Sequence, residues 1–349
     1  MKKAVVSALV AVAVMLVSGT SLAASGGAST SGSVVPSVVI NGPTLGLSPL
    51  TLKTSELAIL PQQTITLPIG GTSTTESGPL LSSVLTLAGV QYNALCKNDE
   101  LRYWAEVTST DGSAAVAITP GELDPGFGNR PAILSISENG KFLTSSGPRL
   151  IVPNDSGGRD IQHVGTITIG RAPSELPNAN PACGATSLNA NPPAGSVVVN
   201  GDVSSPMTLT MAQLAALPQV TQTDTFLQGT APSVNTETGP TLYSILQLAK
   251  PKFLACDKTD SQRFYVEITS SEDGVPAVLA WSEIDPSQDN TQDLMALTNN
   301  NIPVLSSDTD PRLTTPGDVK GGRYIFGAAM ITVFRAPTET RIPSCAAAK

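Results

Sequence analysis

Twice the chain sets an arginine behind two glycines, in Gly157-Gly158-Arg159 and in Gly321-Gly322-Arg323. A planar guanidinium beside glycine amides can hold an oxyanion, so Gly158, Arg159, Gly322 and Arg323 are candidates to bind a phosphate or a similar group. His163, the single histidine, closes the first of these loops. A lone histidine is more often a structural residue than a ligand or a base, and it has no histidine counterpart in the second loop. The competing use of the two arginines is pairing with Asp155 and Asp318 in the same loops, which rigidifies a turn. Glu122-Leu123-Asp124-Pro125 and Glu283-Ile284-Asp285-Pro286 offer paired carboxylates for general acid and base work. The sequence favours instead a helical turn stopped by proline, with its carboxylates in water. One histidine and the absence of a Gly-x-Ser-x-Gly elbow argue against a hydrolase.

These residues sit inside a longer pattern that the chain writes twice. Pro148-Arg149-Leu150, Asp155, Gly157-Gly158-Arg159, Arg171-Ala172-Pro173 and Cys183 reappear as Pro311-Arg312-Leu313, Asp318, Gly321-Gly322-Arg323, Arg335-Ala336-Pro337 and Cys345. The upstream halves repeat as well. A strand over Val34 to Ile40 matches one over Ser196 to Val199, and Leu50-Thr51-Leu52 matches Met207-Thr208-Leu209. Short helices over Ser55 to Leu60 and Met211 to Leu217 stop at Pro61 and Pro218, and Thr210 with Gln213 fits a capping box. Polar loops follow over 70–77 and 229–238. Gly78-Pro79 and Gly239-Pro240 then open helices carrying Leu81, Val84, Leu85 and Ala88, or Leu242, Ile245, Leu246 and Ala249, at core spacing. Arg102 to Thr108 and Arg263 to Thr269 alternate like half-buried strands, and Glu138-Asn139-Gly140-Lys141 signals a hairpin that Asn299-Asn300-Asn301 can match.

With 349 residues there is material for two domains, each with a core. Few charged residues (14%) and many glycines and prolines predict strands, turns and short helices. The net charge of −8 repels phosphate backbones and argues against nucleic acid as a partner. Met1-Lys2-Lys3, the apolar run Ala4 to Val17 and the small-residue ending at Ala23 form the pattern of a secretory signal peptide. The expected division is therefore a signal peptide over 1–23, a flexible leader over 24–33, a first domain over 34–183, a linker over 184–195 and a second domain over 196–345. No membrane span is expected after signal cleavage, and a periplasmic or secreted location follows. Export favours disulfides over metal-bound thiolates for Cys96, Cys183, Cys256 and Cys345. The repeat pairs Cys96 with Cys183 and Cys256 with Cys345, closing loops of nearly equal length.

In the second copy the series Asn200-Gly201, Leu209 to Pro218, Gly239-Pro240-Thr241-Leu242-Tyr243-Ser244-Ile245-Leu246, Ile268-Thr269-Ser270 with Asp273-Gly274, and Arg312 to Arg323 resembles the molybdopterin-binding domain of the sulfite oxidase superfamily. The first copy carries the same series less cleanly. The resemblance implies an α+β fold: two tandem mixed-sheet domains of the sulfite-oxidase type, with short helices. Family enzymes hold molybdenum through a pterin dithiolene and one cysteine thiolate, placed just after the strand that follows the first Leu-Pro stop. Here that region reads Leu67-Pro68-Ile69-Gly70-Gly71 in one copy and Phe226-Leu227-Gln228-Gly229 in the other, without a cysteine in either. The family's phosphate-binding loop matches at Arg159 and Arg323. Its further lysine and tryptophan are replaced by Asp160-Ile161-Gln162-His163 and Tyr324-Ile325-Phe326-Gly327.

The expectation is an exported, non-catalytic tandem that binds a small anionic ligand or a partner protein, with no resident cofactor. The alternative is a periplasmic molybdopterin-dependent oxidoreductase with an altered metal ligand set.

Overall fold

Each copy begins by pairing a strand with two others that come from opposite ends of the repeat. In the computed structural model, which describes residues 36–69, 72–144, 147–155, 158–173, 183, 192–272, 274–288, 292–303 and 310–336, the elements recur in one order. The first copy runs β1 Ser37–Gly42, β2 Leu47–Lys53, α1 Thr54–Leu57, β3 Gln62–Ile69, β4 Thr72–Pro79, α2 Leu81–Leu87, β5 Tyr103–Ser109, β6 Ala115–Ile118 and α3 Pro120–Leu123. It ends with β7 Ile133–Ser135, β8 Ser137–Glu138, β9 Lys141–Phe142, β10 Arg149–Ile151 and β11 Val164–Arg171. The second copy repeats this as β12 Ser196–Gly201, β13 Met207–Thr210, α4 Met211–Ala216, β14 Val220–Gln228, β15 Ala231–Gly239, α5 Leu242–Ala249, β16 Phe264–Ser270, β17 Pro276–Ala280 and α6 Trp281–Ile284. β18 Leu294–Ala296, β19 Thr298–Asn299, β20 Ile302–Pro303, β21 Arg312–Thr314 and β22 Ala328–Arg335 complete it. The expected signal peptide and leader, most of the expected linker and Cys345 lie outside the described residues.

The fold is α+β, with mixed sheets and short helices. The main sheets have the orders β2-β1-β11-β5-β6 and β13-β12-β22-β16-β17. In both, only the pair β1/β11 or β12/β22 is parallel, and the rest are antiparallel. α2 and α5 lay their apolar stripes on these sheets, burying Leu81, Val84 and Leu85, and Leu242, Ile245, Leu246 and Ala249. Thr241 caps α5 by accepting the Ser244 N–H at 3.1 Å, and Thr210 with Gln213 closes the box on α4. The glycine before each helix is required by contact: a Cβ on Gly78 would stand 1.9 Å from the Leu134 carbonyl oxygen, and one on Gly239 2.2 Å from that of Met295.

Two expectations are corrected. Residues 72–77 and 231–238, within the polar stretches read as loops, are strand. They supply β4 and β15, the return strands of long hairpins with β3 and β14. Threonine's branched stem favours extended backbone, and its hydroxyls pair across the ladder, Thr64 with Ser77 and Thr221 with Thr238 at 2.8 Å each. Secondly, β5 and β16 are buried on both faces rather than half-buried. Tyr103, Ala105 and Val107 face the first core, and Phe264, Val266 and Ile268 face the second. The other face of each strand meets the opposite copy. There Trp104 stacks on Tyr265 with centroids 5.3 Å apart, and Tyr265 stacks on Phe334 at 5.2 Å. Trp104 and Tyr265 hold equivalent places in the repeat, so the seam approximates a two-fold. Across it Arg263 Nε donates to Glu106 Oε1 at 3.2 Å.

Cys96 is bonded to Cys183, the expected pairing, with their Cα atoms 5.2 Å apart. Cys256 is also disulfide-bonded, to a partner outside the described residues.

Candidate functional site

The Gly-Gly-Arg loops do not present their arginines to solvent. Arg159 is fully buried; its Nε donates to Asp155 Oδ2 at 2.5 Å and its Nη1 to Glu122 Oε2 at 3.0 Å. Arg323 is clasped alike: Nε and Nη2 donate to the two oxygens of Asp318 at 2.9 and 2.6 Å, and Nη1 donates to Glu283. Glu122 and Glu283, expected in water, are 1% and 5% exposed, because α3 and α6 point them inward at the seam. Thr119, from the first copy, also donates to Glu283 at 3.1 Å. Burial pushes Glu122 up, but the charges of Arg159, Arg130 and Arg323 pull it below the ordinary carboxylate range. Burial lifts Glu283 above that range against the pull of Arg323, and the charge of Glu122 adds to the rise. Asp124 and Asp285 stay half-buried and cap their own turns, accepting Gly126 N–H at 2.6 Å and Ser287 N–H at 2.9 Å.

The glycines of these loops serve the seam too. A Cβ on Gly322 would stand 2.1 Å from the ring of Phe127, while one on Gly158 would meet the amide ends of Gln288 and Gln262. Phe127 and Gln288 are equivalent positions, so each loop packs on the other copy's proline turn. His163 is exposed and carries φ 54°; its carbonyl accepts the Thr110 N–H at 2.8 Å. Gly327 holds that place in the second copy, with φ 61° and the matching bond from Ser271. His163 therefore fills a turn position.

A wide cleft lies elsewhere. It encloses about 770 Å³ in the second copy, with Lys97, Asn98, Glu100 and Phe127 contributed by the first. Its floor is an aromatic cage around Arg312. The guanidinium carbon lies 4.4 Å from the centroid of Phe326, 5.0 Å from Tyr324 and 5.8 Å from Phe226. Arg312 is 4% exposed and forms a 2.9 Å ion pair from Nη1 to Oε1 of Glu237, which is fully buried on β15. Burial draws the Arg312 guanidinium below its usual value, opposed by Glu237, and burial raises both Glu237 and Asp224. Asp224 accepts the Tyr324 hydroxyl at 3.4 Å. Along the wall Asn299 Nδ2 donates to Asn235 Oδ1 at 3.1 Å, and Asn235 Nδ2 donates to Ser233 Oγ at 3.3 Å.

The first copy keeps the scaffold and lacks the cage. Its Arg149 pairs with Glu76 and Glu138 at 3.1 and 3.2 Å. The hairpin registers align Phe226 with Ile69, and the bridges Leu150–Ile161 and Leu313–Ile325 align Tyr324 and Phe326 with Asp160 and Gln162. The sequence reading did not single out Phe226, Arg312, Tyr324 or Phe326 as a site. The available signal was compositional: the chain has only 7 phenylalanines and 5 tyrosines, and three of these twelve fall where the other copy has none.

Phe226-Leu227-Gln228-Gly229, where the resemblance would put a metal-binding cysteine, lines this cleft. Its residues do not fit a molybdenum dithiolene. The cleft lining contains no thiolate, and the arginines that would meet the pterin phosphate are bound to carboxylates. Among the described residues no group of three or more His, Cys, Asp or Glu is placed to hold a metal.

No family model matches the chain, and none of the curated proteins does. Among solved structures, the chain is similar to the sulfane dehydrogenase SoxCD from Paracoccus pantotrophus, at 14% identity and a TM-score of 0.30, over 86% of this chain and 78% of that one.

Proposed function

We propose that this chain is an exported, non-catalytic tandem module whose second copy binds a small anionic ligand. One observation carries the reading: on a shared scaffold, only the second copy builds an aromatic and arginine floor under an open cleft, with Lys97 and Lys320 on its rim. A duplicated fold frees one copy to specialise while the other braces it, and the floor is one place where these copies differ. The cleft lining offers amides, hydroxyls, lysines, aromatic faces and the carboxylates of Glu100 and Glu272, and among the described residues it holds neither histidine nor cysteine, which supports binding over nucleophilic covalent chemistry. The signal-peptide pattern and the Cys96–Cys183 bridge support export into an oxidising compartment. Among the described residues no helix is long and apolar enough to cross a membrane.

Native mass spectrometry and elemental analysis of protein from its own host test this. The expected result is a small organic ligand, or a free cleft that binds anions, without molybdenum. Stoichiometric molybdenum with a pterin released on acid denaturation would overturn it in favour of an oxidoreductase.

A further inference from the structure

Resting on that reading, we propose that the ligand is a planar aromatic anion, a one- or two-ring carboxylate or sulfonate, lying with its ring on Phe326 and its charge toward Lys97 and Lys320. Phe326 is 49% exposed, so one face is open to the cleft while its ring lies within 4.4 Å of the Arg312 guanidinium. A flat aromatic face held in place by the cation beneath it offers offset stacking to a second planar ring. Arg312 is 4% exposed and its charge is already met by Glu237 in a buried setting. The anion falls instead to the seam end of the cleft. There the segment Val319 to Gly322 is fixed on three sides: Leu227 N–H donates to the Val319 carbonyl at 2.9 Å, Val319 N–H donates to the Phe127 carbonyl at 2.9 Å, and Asn98 Nδ2 donates to the Gly322 carbonyl at 3.3 Å.

The last bond sets the Lys97-Asn98 corner beside Lys320. Among the described residues neither lysine forms an ion pair, and both side chains are exposed. The acid on the opposite end, Glu272, sits under Gly327, next to Phe326. The cleft is thus polarised along its length: where the copies meet, Lys97 and Lys320 outnumber the single acid Glu100, and beyond the ring shelf Glu272 stands without a lysine. Gly321 abuts the Phe226 ring, where a Cβ would stand 2.7 Å from Cε2, so the shelf and the lysine end are continuous. A rigid ring bearing its anion at one edge matches that length; a flexible or globular anion leaves the shelf uncovered.

The test is isothermal titration of the full chain with 2-naphthalenesulfonate, cyclohexanesulfonate, 2-naphthol and inorganic sulfate at low and high salt. 2-Naphthalenesulfonate is expected to bind, with the saturated sulfonate and the neutral naphthol each weaker by about tenfold or more. Phe326→Ala, an exposed change that leaves the fold intact, should weaken the aromatic anion about five- to tenfold and leave sulfate unaffected. The double variant Lys97→Gln/Lys320→Gln should remove most of the salt dependence. Equal binding of 2-naphthol or cyclohexanesulfonate, or indifference to Phe326→Ala, overturns the ligand class. If no probe binds yet protein from its host carries another cleft ligand, the class falls while the binding reading stands. If no probe binds and the host protein is empty, both fall.

Discussion

Replacing Arg323 by glutamine separates two roles for the Gly-Gly-Arg loop. In the structure its guanidinium makes a two-pronged contact with Asp318 at 2.9 and 2.6 Å and a third with Glu283, with no side chain of the three more than 7% exposed. Removing one partner of a buried pair costs about 3–5 kcal/mol, because the remaining charge stays out of water. Here two carboxylates are left behind, so the upper half of that range is expected. Against a total stability of about 5–15 kcal/mol the loss is large. The sign of its pH dependence follows. Without Arg323, Glu283, which burial already lifts above the ordinary carboxylate range, loses the charge that opposed that rise, so its folded-state pKa climbs further above the unfolded value of about 4. A raised carboxyl pKa costs stability above the unfolded value and costs nothing well below it. The deficit of Arg323→Gln should therefore be large at pH 7 and shrink toward pH 4. Urea unfolding followed by the fluorescence of Trp104 and Trp281 reads this, and adding Glu283→Gln and Asp318→Asn should recover part of the loss. An unchanged urea midpoint, with weakened anion binding, would show that Arg323 faces a ligand and would refute the structural role argued above.

Three further outcomes follow from the same coordinates. Gly322→Ala should cost about 1–3 kcal/mol, since the new methyl meets the Phe127 ring, and Phe127→Leu should relieve it; Gly158→Ala should be nearly neutral, because the amide ends of Gln262 and Gln288 can swing aside. Equal urea midpoints for the two alanine variants would contradict the packing. Burial pushes Asp160 up to about 6, so its ionisation costs stability from about pH 4 upward; Asp160→Asn, whose amide oxygen still accepts the Val152 N–H, should gain in Tm over the parent as pH rises from 4.5 to 7.5. A constant Tm difference across that range would count against it. Trp104→Ala removes the stack at the seam and should cost about 3–5 kcal/mol by urea titration; a loss below about 1 kcal/mol would mean the seam is not packed as described.

Much of the fold was legible because local rules and tertiary contacts agree. The stripes Leu81-Val84-Leu85 and Leu242-Ile245-Leu246 face the cores that their spacing predicts, Pro61 and Pro218 stop α1 and α4 within a few residues of the expected points, and Asn139 with Gly140 turns β8 into β9 with φ of 49° and 74°. The readings that failed did so where a residue's partner is distant in sequence. Glu122 looks solvated until Arg159 and the seam close over it. Trp104, Glu106, Tyr265 and Glu267 sit on what reads as the wet face of a half-buried strand, because only the other copy dries it. Threonine-rich β4 and β15 read as loops for a related reason: their polarity reports solvent, and pairing with β3 and β14 does not require apolar side chains.

The cleft was hidden by the same logic, carried one step further. Phe226 comes from the end of β14, Arg312 from β21, and Tyr324 and Phe326 from the turn before β22, so no single window of sequence contains the cage. The repeated motif pointed instead to what the copies share, Gly158-Arg159 and Gly322-Arg323, and shared residues in a tandem that buries its own seam are those the seam needs. The residues free to specialise are the ones that differ. At equivalent positions of the repeat Ile69, Asp160 and Gln162 stand against Phe226, Tyr324 and Phe326, while the Arg149–Glu76 and Arg312–Glu237 pairs persist in both copies. In a duplicated chain, then, repetition marks the brace and divergence marks the binding surface, and that inference could be drawn from the two copies laid side by side before any coordinate was known.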